Sequence, residues 1–148
     1  ALMEYADGST GVFVTSTGES PGVNRLEVVA DGGLVQVEGK ELRFWKNETP
    51  TAEFCRTTDL VFGTSPRELK TETFEDFGGG HRGILQNFSN AIAGKEPLAA
   101  PGREGVASVE LANAMLYSSW RGETVELPLD GAAYEAALEE KIRTSKKN

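Results

Sequence analysis

The sequence has one cysteine, Cys55, and one histidine, His81. A lone cysteine excludes an intrachain disulfide. One His and one Cys supply neither a zinc ligand set nor a local Cys–His pair for nucleophilic catalysis. Cys55 lies in the alternating stretch Ala52-Glu53-Phe54-Cys55-Arg56-Thr57, which reads as a strand with a packed or half-buried thiol. Long apolar runs are missing: none approaches the ~18 residues of a membrane helix. No basic segment followed by an apolar one opens the chain, so no signal peptide is visible and a cytoplasmic location is expected. A broad basic surface is missing too. Against 15 Lys and Arg stand 23 Asp and Glu, a net charge of −8, which argues against a phosphate-neutralising nucleic-acid surface. The one basic cluster, Lys141, Arg143, Lys146 and Lys147, fits a helix C-terminus running into a solvated tail.

What is present is one domain's worth of chain: 148 residues, 39% apolar and 26% charged. Residues 1–148 are therefore read as one domain. The opening Ala1-Leu2-Met3-Glu4 reads as the interior of a longer protein. The first half is strand-like. Gly11–Thr17 is β-branched and aromatic, and three runs, Arg25–Ala30, Leu34–Glu38 and Glu41–Lys46, are joined by Asp31-Gly32-Gly33 and Gly39-Lys40. Such short glycine joints demand antiparallel hairpins, because a parallel crossover needs a dozen or more residues. Further strands are expected near Ala52–Thr58 and Glu68–Phe77.

The second half is helix-like. Ile84, Leu85, Phe88, Ala91 and Ile92 make one apolar stripe, closed by Gly94 and Pro97. Val106, Val109, Leu111, Met115, Leu116 and Trp120 mark a longer helix over 103–120, ended by Gly122. Asp130 caps a last helix carrying Tyr134, Leu138 and Ile142. Strands followed by helices define an α+β fold: an open, predominantly antiparallel sheet of about six strands with helices on one face. Phe88 and Trp120 are expected to be largely buried, and the uncovered sheet face to carry Thr, Glu and Arg with Val, Phe or Trp45 among them.

Gly78-Gly79-Gly80-His81-Arg82-Gly83 spells the glycine fingerprint of a dinucleotide site. The chemistry needs more than the letters: a buried apolar parallel strand before it and an acid-tipped strand after its helix. Here a half-charged strand precedes it and the loop Lys95–Pro101 follows, so it reads as a structural turn. His81 and Arg82, at the helix start where amide donors and partial positive charge gather, are the candidate substrate-binding residues. The adjacent carboxylates Glu75/Asp76 and Glu139/Glu140 diverge rather than converge. No catalytic, cofactor-binding or metal-ligating residue is identified.

The run from His81 through Leu98 resembles the C-terminal region of the glucose–fructose oxidoreductase / inositol dehydrogenase / MocA family. So do Ala100–Gly105, Ser108–Trp120, Val125–Asp130 and Tyr134, and Glu4–Gly11 is similar to the family's strand–turn–strand after its active-site motif. The resemblance implies an N-terminal Rossmann domain holding NAD or NADP, and a C-terminal domain that shapes the substrate cleft and mediates oligomerisation. It implies hydride transfer at a secondary alcohol of a sugar, cyclitol or related polyol. The family's Glu-Lys-Pro lysine has no counterpart here, and its Asp and His motif would lie before Ala1, so its catalytic His is not carried onto His81. The expectation is a C-terminal substrate-binding and oligomerisation domain, inactive by itself, without a cofactor of its own, pairing as a homo-oligomer through the open sheet face and partnered by the Rossmann domain. The alternative is a stand-alone non-catalytic binding or dimerisation module derived from such an enzyme.

Overall fold

The computed structural model describes residues 1–75 and 79–145. Asp76 and Phe77 of the last expected strand, Gly78 of the glycine run, and Lys146 and Lys147 of the basic cluster lie outside the described residues. The fold is α+β, with six strands and four helices among the described residues. In chain order the strands are β1 (Leu2–Glu4), β2 (Thr10–Val12), β3 (Arg25–Ala30), β4 (Gly33–Glu38), β5 (Glu41–Asn47) and β6 (Arg67–Thr73). They form two antiparallel sheets, one of two strands and one of four. The chain divides into two compact units, residues 15–80 and residues 1–14 with 81–148.

In the unit of residues 15–80, β3, β4, β5 and β6 pair in that order. The joints between β3, β4 and β5 are the expected glycine turns. Gly33 has φ +144°, and a Cβ there would sit 2.0 Å from the Trp45 carbonyl oxygen, so only glycine fits this close approach. Residues paired across an antiparallel ladder share a face. Val29, Leu34, Trp45 and Leu69 are therefore aligned on one face, followed by Glu27, Gln36, Arg43 and Thr71. The opposite face carries Leu26, Val28, Val35, Val37, Leu42 and Phe44.

The stretch expected as a strand near Ala52–Thr58 is instead a helix, α1 (Thr51–Thr57). Its start is fixed from a distance. The Asp31 carbonyl accepts from the Thr51 N–H (2.9 Å), and the Asp31 carboxylate accepts from the Ala52 N–H (2.7 Å). Pro50 precedes the helix, Glu53 lies in its first turn and Arg56 in its last, an order that suits the helix dipole. A remote cap thus overrides the local alternation.

The other unit holds the hairpin of β1 and β2, although the strand expected over Gly11–Thr17 continues no further than Val12. The Asp7 carboxylate accepts from the Ser9 N–H (2.9 Å) and the Ser9 hydroxyl (2.7 Å), closing the turn and holding its pKa below the usual aspartate value. Three helices follow in this unit: α2 (Gly80–Ile92), α3 (Glu104–Arg121) and α4 (Gly131–Thr144). Gly94 and Gly122 adopt left-handed φ of 69° and 67° at the ends of α2 and α3. Asp130 accepts from the Ala132 and Ala133 N–H groups as the α4 cap.

Side chains join α3 to α4. Trp120 stacks on Tyr134 with ring centroids 5.7 Å apart, and Tyr117 meets Tyr134 edge-on at 6.1 Å. The Tyr134 hydroxyl donates to Asn113 Oδ1 (3.0 Å), and Glu110 accepts from the Leu129 N–H (2.9 Å). Ala114 and Tyr117 are buried and Trp120 is half-buried. Phe88, expected to be buried, is 54% exposed, and no residue of α2 is buried. Its helix is tied instead through polar groups: Asn87 donates to the Pro97 carbonyl (3.0 Å) and accepts from the Ala99 N–H (2.9 Å).

Candidate functional site

Two surfaces of the sheet unit differ in chemistry. On the Trp45 face a polar line crosses three strands. Gln36 Nε2 donates to Glu27 (3.3 Å), and Arg43 donates to Gln36 Oε1 (3.3 Å) and to Glu41. The hydrogen bond and charge of Glu41 push the Arg43 pKa above its ordinary value. Thr71 lies beside Arg43 on the same face. The mixture of Thr, Glu and Arg with Trp45 expected for the uncovered sheet face is found on this face, whose end meets α1. Phe44 falls on the other face, because it is one residue out of step with Trp45.

At the end of the Trp45 face the sheet meets α1 and the loop before β6. Val29, Leu34, Trp45, Phe54, Cys55 and Arg67 help line a cavity of about 240 Å³ there. Ser65, 7% exposed, anchors the loop: its hydroxyl accepts from the Thr49 N–H (3.1 Å). Cys55 is exposed and sits on a helix, not on the strand expected for it. This cavity was not readable from the sequence, because its wall exists only once 51–57 is helical. The signal available was Pro50 followed by Thr51 and Glu53, an ordinary helix start.

His81 and Arg82 occupy the first turn of α2. Both are exposed, and neither side chain makes a hydrogen bond or ion pair with another described residue. No acidic residue shares that turn. The helix start is as expected; among the described residues no third functional group is bonded to these two. Just before them Gly79 and Gly80 have φ of 77° and 53°, which accounts for the glycines as a turn requirement. The preceding β6 is the antiparallel edge strand of its sheet. A dinucleotide fingerprint follows a parallel strand, and β6 runs antiparallel to its neighbour β5.

Among the described residues no three His, Cys, Asp or Glu side chains converge to hold a metal ion. No helix of the described residues is long and apolar enough to cross a membrane. Compared with models of known protein families and with curated proteins, the chain matches none.

Proposed function

We propose that the chain is the C-terminal substrate-binding and oligomerisation domain of an NAD(P)-dependent oxidoreductase of the glucose–fructose oxidoreductase / inositol dehydrogenase / MocA family. The whole enzyme transfers hydride between the nicotinamide and a sugar, cyclitol or related polyol in the cytoplasm. Cofactor and catalytic lysine belong to an N-terminal Rossmann domain, and this chain alone is inactive. His81 and Arg82 contribute hydrogen-bond donors to polyol hydroxyls, and copies pair through the polar Trp45 face.

The observation that carries this reading is the sequence pattern of residues 81–134 set on the element order of the fold. An antiparallel meander precedes a helix, a proline-bounded loop, a longer helix ended by glycine, and a capped last helix. A dehydrogenase assay on the product of the whole reading frame tests it, with NAD⁺ or NADP⁺ and a panel of aldoses and cyclitols. Reduction of one nicotinamide by the whole product, and none by residues 1–148 alone, is the expected result. Replacing His81 and Arg82 together by Ala should raise KM about tenfold with kcat little changed, the size expected from losing charge-assisted hydrogen bonds. A whole product inert toward every polyol with both cofactors would overturn the reading.

A further inference from the structure

The end of the Trp45 face carries a hole with apolar walls and a polar rim that includes Arg67 and, on neighbouring residues of the chain, an apolar knob flanked by an acid. The hole is the cavity of about 240 Å³ beside Val29, Leu34, Trp45 and Phe54. Among the described residues Arg67 is its only charged lining residue, and the Arg67 guanidinium makes no ion pair or hydrogen bond with them.

The knob is Asp59-Leu60-Val61-Phe62. The Leu60 N–H donates to the Thr58 hydroxyl (3.2 Å), and the Leu60 side chain folds back on Gly63, where an added Cβ would lie 2.9 Å from it. That turn leaves Val61 88% and Phe62 94% exposed, and Phe62 is the most exposed large apolar side chain among the described residues. Gly63, Thr64 and Ser65, immediately after the knob, line the hole.

We infer that Phe62 of one copy seats in the hole of a second copy, with Asp59 facing the partner's Arg67, and that the exchange is reciprocal about a two-fold axis. Knob and hole are adjacent in one unit, so a single axis passing close to both lets each copy give one and receive one. The two-fold sets each acid against a base, not like against like. Two phenylalanines, their neighbouring valines and the walls they cover amount to roughly 1,000 Å², at the lower end of specific interfaces. The dimer is thus weak and concentration-dependent. The inference rests on the reading that copies pair through the Trp45 face, and it supplies the residues that anchor that pairing.

Sedimentation velocity over a concentration series tests it, with circular dichroism to verify folding of each variant. Phe62→Asp should raise the dimer dissociation constant at least ~30-fold, the loss typical of an interface anchor. Asp59→Lys and Arg67→Glu should each weaken the dimer, and the double variant should regain most of what either loses. A dimer that Phe62→Asp leaves unchanged but Arg43→Glu breaks would overturn the knob-and-hole contact while leaving the face pairing intact. A chain that stays monomeric into the millimolar range would overturn both. Failure of the double charge variant to recover would overturn the placement of Asp59 against Arg67.

Discussion

The four-stranded sheet and the α3–α4 pair are held by different means. In the sheet the backbone specifies the structure: two-residue turns fix the register, and the close approach at Gly33 locks β4 against β5. Between α3 and α4 the side chains do so, through the rings of Tyr117, Trp120 and Tyr134 and the polar links from Asn113 and Glu110. A sheet specified by its backbone tolerates changes on its faces and is intolerant at its turns. A helix pair specified by side chains is the reverse, because its backbone hydrogen bonds are satisfied within each helix and say nothing about the neighbour. The helix α2 is a third case, with its apolar stripe largely exposed and polar ties from Asn87 and Asn90 to its own following loop.

The largest expected effect breaks the backbone side of this contrast. Gly33→Ala should cost ~3 kcal/mol or more, since a methyl cannot share space with the Trp45 carbonyl and the left-handed φ adds strain. Urea unfolding followed by tryptophan fluorescence measures it, and an unchanged midpoint would contradict the register of β4 against β5. Next, Tyr117→Ala breaks the side-chain side. It removes the most buried large side chain of the helix pair and should cost ~2–4 kcal/mol by the same measurement. Asp130→Ala removes two hydrogen bonds at the α4 cap and should cost ~1 kcal/mol. A loss as large as that of Tyr117→Ala would mean that the cap organises more than its own helix.

Phe88→Ala sharpens the contrast from the other direction. With its ring more than half exposed it should cost ~1 kcal/mol or less, well under the cost of a core phenylalanine. The smallest effect concerns pH. The hydrogen bonds from Ser9 depress the Asp7 pKa in the folded chain, so their stabilisation is present above the ordinary aspartate value and is lost as pH falls through the depressed one. An NMR titration of the Asp7 carboxyl should show a midpoint below that of Asp7 in Ser9→Ala, and equal midpoints would refute the turn geometry.

What the sequence made legible is what is encoded locally. Gly94, Gly122 and Asp130 mark helix ends because caps are satisfied within a few residues, and the hairpins follow from glycine joints too short for any other connection. Period-two alternation was enough to set Trp45 among Glu, Arg and Thr. It was not enough for 51–57, where the deciding hydrogen bonds come from Asp31 in a turn of the sheet. The cavity beside Phe54 was hidden for the same reason. The stripe of α2 shows that Ile84, Phe88 and Ile92 lie together, but amphipathicity does not name what covers them. For His81 and Arg82 the sequence located the helix start, and their chemistry depends on groups that the local pattern does not carry.

Calorimetric titration of NADH and NADPH into residues 1–148 and into the product of the whole reading frame tests the central claim most directly. Micromolar binding of one cofactor to the whole product, and no binding to the chain alone, is the expected result. Micromolar binding to residues 1–148, or no binding of either cofactor to the whole product, would contradict it.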